Sequence, residues 1–192
     1  MLNAAAAVFA RRGFHGARMR EVARAAGLTT GALYARFDGK EALFLALAAR
    51  HFDDWLARVD AVAGATGVDA VAGAAGRAVT AVLEDDPAWA LLFMEFWLYA
   101  ARKPRLQAAW DERRRRFRTA LARAAGAAAR RAGLRLTAPA EDLAAAVDVV
   151  LNGLAFERAT DCSGAASRSY GALFARLLGA VLRDGTTPRS GS

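Results

Sequence analysis

Apolar side chains recur along this chain at three- and four-residue spacing, and each run stops at a glycine or a proline. Leu2, Ala5, Ala6 and Phe9 fall at i, i+3, i+4 and i+7, which predicts a helix from about Leu2 to Arg12. Gly13 is placed to end it, because glycine adopts the left-handed turn that closes many helices. Met19, Val22, Ala23 and Ala26 predict a second helix, stopped by Gly27. Thr29 can cap a third helix through Phe37, with Leu33 and Phe37 turned inward, before Asp38-Gly39 breaks it. The elements then lengthen. An amphipathic helix is predicted from Lys40 to about Val62, a loop over Gly64 to Gly67, and a helix from Val68 to just before Pro87. Residues from Ala88 to about Arg102 are apolar nearly all round, which predicts burial on most sides. Pro104 and Pro139 open two more helices, reaching Arg131 and about Thr160. A last helix, about Ala165 to Leu182, precedes a Gly/Thr/Pro/Ser tail (185–192) expected to be disordered. No stretch alternates apolar and polar residues as a strand would, so the fold class is all-α.

Composition agrees: Ala, Leu and Arg dominate and favour helix, and 192 residues suffice for a small module plus a larger one. Cys162 is the single cysteine, which excludes an intrachain disulfide and fits a reducing compartment. The start lacks a secretory signal, and the most apolar segment, Ala88 to Ala101, is shorter than the ~20 residues that span a bilayer. A cytoplasmic protein without membrane partners is expected. His15 and His51 have no carboxylate or cysteine at ligand spacing, and no nucleophile elbow, phosphate loop or dinucleotide fingerprint occurs. Neither an enzyme, a metal nor a cofactor is expected. The formal charge is +8, and residues 1–50 carry eight basic against three acidic groups. Such a concentration of positive charge suits a nucleic-acid module.

The informative segment is G-F-H-G-A-R-M-R-E-V-A-R-A-A-G-L-T-T-G-A-L-Y-A-R-F-D-G-K, Gly13 to Lys40. Two short helices around Gly27-Leu28-Thr29 have the size of a helix-turn-helix. Ala23 and Ala26 let the helices approach, Leu33 and Phe37 anchor the second, and Gly31, Ala32 and Ala35 leave its outer face slender enough for a major groove. The runs A-A-A-V-F-A-R-R-G-F, V-A-R-A-A-G-L-T-T-G-A-L-Y-A-R-F and K-E-A-L agree in order and spacing with the opening of the tetracycline-repressor-like (TetR) regulators, over about residues 2 to 45. The chain thus resembles that family, and beyond residue 45 the likeness is one of layout. The resemblance implies a homodimeric, usually ligand-released repressor of double-stranded DNA. It comprises a DNA-binding domain (1–45) and a helical ligand-binding and dimerisation domain (46–184). It places Thr29, Thr30, Gly31 and Ala32 at the start of the recognition helix, Tyr34 and Arg36 on the DNA backbone, and Lys40 on a phosphate. The hydroxyl pair that usually opens the second helix is Ala17-Arg18 here, and Arg36 replaces a histidine. The chain also begins almost at the first motif residue, which points to a shortened start without a basic arm. The third helix offers no Arg, Lys, Asn or Gln to read bases, so Arg20, helped by Arg18, is expected to read guanine.

In the larger part, Trp89, Phe93, Trp97, Trp110 and Phe117 form aromatic stripes, with Arg114 within about 40° of the Trp110/Phe117 stripe at 100° per residue. They are candidates to line a pocket for a small hydrophobic ligand, against the alternative of plain core packing. Glu95 is the one charge on its helix. Leu173, Phe174, Leu177, Leu178 and Val181 form a stripe expected to be the dimer interface, with Leu143, Val147, Val150 and Leu154 as a second stripe. Two rival readings remain open: an activator, and a helical ligand-binding or interaction protein whose helix-turn-helix no longer grips DNA.

Overall fold

The structure, a computed structural model, describes residues 1–61, 64–85, 87–161 and 170–184. Among them the helices are α1 (Leu2–Gly16), α2 (Met19–Ala25), α3 (Thr30–Tyr34), α4 (Gly39–Ala61), α5 (Val68–Asp85), α6 (Pro87–Ala100), α7 (Pro104–Arg131), α8 (Ala140–Thr160) and α9 (Tyr170–Val181). Cys162, Ser163, the expected first turn of the last helix and the 185–192 tail lie outside the described residues. The all-α reading holds with one addition. Leu134–Leu136 (β1) and Leu182–Asp184 (β2) pair antiparallel, with Leu136 opposite Leu182. The sequence reading allowed no strand. A three-residue ribbon that buries Leu134 and Leu182 is too short to display alternation, and its partners lie far apart in sequence.

Gly13 does break α1, at φ 66°, but a further turn follows to Gly16. Its left-handed backbone turns Phe14 inward, where the ring is fully buried. Gly27, at φ 67°, makes the turn between α2 and α3.

The chain divides into two compact units, residues 1–53 with 88–115, and 54–87 with 116–192. This differs from a cut at residue 45, because aromatic packing ties α6 and the start of α7 to the N-terminal helices. In that first unit Phe44 stacks on Phe96 at 4.2 Å, Phe14 meets Phe96 edge-on at 5.0 Å, and Phe96 meets Trp110 at 5.1 Å. In the second unit Val79, Leu83, Leu151, Leu154 and Phe174 form one cluster, and Val71, Ala129, Leu134 and Leu182 another. There α5 and α9 cross at Gly76 and Gly171; a Cβ on Gly76 would run into the Gly171 carbonyl, and one on Gly171 into the Thr80 hydroxyl. Asp148 is buried in this unit but satisfied, since Arg118 Nε donates to it at 2.7 Å and Asn152 Nδ2 at 2.9 Å.

Candidate nucleic-acid interface and ligand cavity

The first unit assembles the predicted DNA-facing residues from the backbone upward. Ala17 and Arg18 supply no capping hydroxyl to α2; instead Glu21 accepts the Arg18 N–H at 3.3 Å. The Leu28 N–H closes onto the Ala23 carbonyl at 2.9 Å across the turn at Gly27. Thr29 then caps α3, its Oγ1 accepting from the Ala32 N–H at 3.1 Å. Within α3 only Leu33 is buried. Thr29, Thr30, Gly31, Ala32, Tyr34 and Arg36 are exposed, as are Arg18 and Arg20 at the start of α2. Tyr34 is 53% exposed.

Lys40 differs from the rest. It is half-buried, its Nζ donates to the His15 carbonyl at 2.9 Å, and it lies 4.7 Å from the centre of the Phe14 ring. Burial holds its pKa below the ordinary lysine value, against the pull of Glu41 and Glu95. The ammonium therefore ties the start of α4 to the end of α1, and two of its three donors remain for an outside acceptor.

Behind this module α6 presents a polar edge that the sequence reading noted only as an isolated charge. Glu95 Oε2 accepts the Phe14 N–H at 2.6 Å, and a Cβ on Gly13 would sit 2.9 Å from both Glu95 oxygens. Only glycine at position 13 gives both the left-handed turn and room for that carboxylate. One turn later Tyr99 donates to Glu41 Oε1 at 2.5 Å, and Lys103 reaches the same oxygen at 2.8 Å. The Lys103 hydrogen bond, with that of Tyr99, holds the Glu41 carboxyl below its ordinary value. The same bond to Glu41 raises Lys103. A charge-assisted hydrogen bond to backbone such as that of Glu95 contributes roughly 1.5–3 kcal/mol.

The predicted ligand residues make ring contacts with one another and with α4. Trp110 is fully buried, with Phe93 at 4.9 Å and Phe52 at 6.1 Å. Trp89 stacks on Phe44 at 5.7 Å and on His51 at 4.1 Å. Trp97 meets Phe93 at 6.2 Å, with the Arg114 guanidinium 4.7 Å over its ring. Phe117, also buried, belongs to the second unit. Phe44 and Phe52 of α4 pack against this set, contacts that helix-by-helix stripes could not anticipate.

An apolar cavity of about 110 Å³ lies within the second unit. Its walls come from Trp55, Arg58 and Val59 of α4, Ala75, Ala78 and Val79 of α5, Leu121, Ala125 and Ala128 of α7, and Phe174 and Leu178 of α9. None of Trp89, Phe93, Trp97, Trp110, Arg114 and Phe117 lines it. Alanines at i, i+3 spacing on α5 and α7 leave the gap, a signal made of missing side chains.

The predicted interface stripe on α9 also divides. Phe174 is buried in the core and Leu178 packs against both clusters, so neither faces outward. Val181 is half-buried. Leu173 and Leu177 are 45% and 49% exposed, and Val149 and Phe156 on α8, which the sequence reading did not select, are 61% and 40% exposed.

Residues 1–47 match the model for bacterial regulatory proteins of the tetR family, and residues 70–183, more than half the chain, match that for the C-terminal part of BetI-type transcriptional repressors. The chain belongs to the TetR family of transcriptional regulators. Among its relatives, the transcriptional activator FasR of Mycolicibacterium smegmatis is 42% identical over 59 residues, 31% of this chain and 27% of FasR. The chain thus matches less than a third of the length of that curated relative. A TetR-family regulator from Rhodococcus sp. superposes with a TM-score of 0.74 at 19% identity, covering 94% of this chain and 95% of that one. FadR of Bacillus subtilis, solved in complex with stearoyl-CoA, gives 0.70 at 14% identity, with 92% and 95% covered. These two establish the fold. No helix among the described residues is long and apolar enough to cross a membrane.

Proposed function

We propose that this TetR-family chain is a cytoplasmic, homodimeric repressor that binds a palindromic operator and leaves it when a small apolar molecule occupies the cavity of the second unit. The observation that carries the reading is the capped, outward-facing α3: eight of the nine predicted DNA-contact residues are exposed on or beside it, and the ninth, Lys40, keeps free donors. The exposed apolar residues of α8 and α9 support self-association, since a second copy would remove Leu173, Leu177, Val149 and Phe156 from water. The apolar cavity, and a related fold solved with stearoyl-CoA, support an apolar ligand. The repressor sign follows the BetI-type match, which covers far more of the chain than the likeness to the activator FasR.

Selection of bound duplex from a random pool tests this directly. The expected outcome is an inverted repeat with half-sites about 34–36 Å apart or a multiple of it, bound by a dimer with steep salt dependence. Failure to enrich any sequence, with no salt-sensitive binding even at low salt, sinks the DNA-binding reading and favours the helical interaction protein. With the selected site placed upstream of a reporter, expression should fall when the protein is present; a rise would make it an activator.

A further inference from the structure

The stretch from Phe96 to Trp110 contains no acidic residue, and Arg102, Lys103 and Arg105 crowd its middle. They stand in the first unit where α6 gives way to α7, and all three are exposed. Two contacts fix this corner beside the start of α4. Lys103 Nζ reaches Glu41 Oε1 at 2.8 Å, and Glu41 directly follows Lys40, the residue proposed to hold a phosphate. His15, whose carbonyl accepts from Lys40 Nζ at 2.9 Å, lines an open groove of about 460 Å³ together with Leu98, Tyr99, Arg102 and Lys103. Glu95 lines the same groove, but about two helical turns back from Arg102 and with its Oε2 engaged by the Phe14 N–H. The rim beside α4 is therefore cationic. Lys103 is committed to Glu41 and Tyr99, whereas among the described residues nothing pairs with the Arg102 guanidinium.

We infer that the α6–α7 corner is a further contact with the DNA backbone, Arg102 holding a phosphate next to the one taken by Lys40. This rests on the proposed duplex binding and extends its surface beyond the helix-turn-helix to a residue the family-like motif does not include. Arginine offers five donors in a planar fork that matches a phosphate two-pronged. Duplex DNA carries one charge about every 1.7 Å along its axis. A cation beside an anchored Lys40 thus meets a neighbouring phosphate without any change of docking. The competing role for Arg102 is to complement the dipole at the end of α6, which would act on stability and not on DNA.

The test binds the full chain, over a range of salt, to the duplex recovered by selection and to a random duplex of the same length. Arg102→Ala should weaken both roughly fivefold for each protomer bound, and flatten the plot of log affinity against log salt by about one unit per protomer. Arg102→Lys keeps the charge and should restore most of the slope. Arg105→Ala removes an equally exposed charge that lies outside the groove lining, and should leave the slope close to wild type. Replacing single phosphates by neutral methylphosphonates then locates the contact. One position should weaken wild type but not Arg102→Ala, and it should adjoin the position that behaves so for Lys40→Ala. Absence of such a position, or an Arg102→Ala slope and affinity equal to wild type, overturns the contact. An equal effect of Arg105→Ala overturns it as well, since diffuse charge would then suffice. A lower melting temperature for Arg102→Ala with unchanged DNA binding assigns the residue to the end of α6 instead. Each of these outcomes leaves the DNA-binding reading standing, whereas wild type that binds neither duplex removes both.

Discussion

At the scale of single residues, the first unit separates the exposed side chains proposed to touch DNA from those that hold its helices together. Arg20 is exposed at the start of α2, and α3 carries no side chain able to grip guanine with two donors. Arg20→Ala is therefore expected to cost roughly 1–3 kcal/mol on the operator and to relax one G·C preference per half-site. Binding-site selection with the variant decides this, and recovery of the unaltered motif would refute base reading by Arg20. Glu41 belongs to the other group. Its carboxyl is held below the ordinary value of 4.5 by the hydrogen bonds from Lys103 and Tyr99. A depressed folded-state pKa stabilises the protein above the unfolded value, and that contribution disappears as pH falls through the folded one. Glu41 is partly solvent-exposed, so the effect is modest. The melting-temperature advantage of wild type over Glu41→Gln should hold near neutral pH and shrink on acidification below about pH 4.5. A gap that stays constant down to pH 2 would mean that the hydrogen bonds do not discriminate the ionised form.

At the scale of elements, boundaries were legible wherever glycine or proline punctuates the chain. Thr29, Gly27, Pro104 and Pro139 put helix ends within a residue or two of the observed ones, because capping and left-handed turns are local chemistry. The direction a helix faces was less legible. The α9 stripe is one band in sequence, yet Phe174 faces α5 and α8 while Leu177 faces out, since a wide apolar face can serve two neighbours at once. Leu177→Glu is accordingly expected to yield a folded monomer with weakened operator binding. Phe174→Ala should lower stability by roughly 3–5 kcal/mol without selectively dissociating the dimer. Light scattering beside thermal melts reads both, and an undiminished dimer in the glutamate variant rules out this face. The packing partners of the aromatic residues of α6 and α7 were illegible for a related reason. Periodicity shows that Trp89, Phe93 and Trp110 share faces, but not that Phe44 and Phe52 of α4 occupy the volume between them. The cavity of the second unit is written in alanines, which are as common elsewhere in this chain as in its wall. The helix-turn-helix itself was the most legible part, because Gly27 makes its turn and Thr29 its cap by local chemistry.

At the scale of the whole molecule, the proposed function is a free-energy coupling between two sites, the exposed face of α3 and the cavity of the second unit. A ligand shifts such an equilibrium only by as much as its affinity differs between the DNA-competent and released states, however tightly it binds. Linkage then imposes a symmetry that no residue-level argument supplies. If a saturating apolar ligand weakens operator binding by some factor, saturating operator must weaken binding of that ligand by the same factor, typically about 5–150-fold in coupled systems. The first is measured by anisotropy of labelled operator with and without the ligand, the second by calorimetry of the ligand with and without unlabelled operator, at one salt concentration because operator affinity depends on it. The ligand should also raise the melting temperature of the DNA-free protein, as any ligand specific to the folded state does. Ala125→Trp puts an indole into the cavity, so it should shift both ligand titrations to higher concentration while leaving the operator affinity at zero ligand untouched, because Ala125 lines the cavity and lies outside the unit that carries α3. Equal factors establish that the two sites share one equilibrium. A ligand that binds with full affinity to the operator-bound protein would instead make the cavity a stability element with no part in regulation.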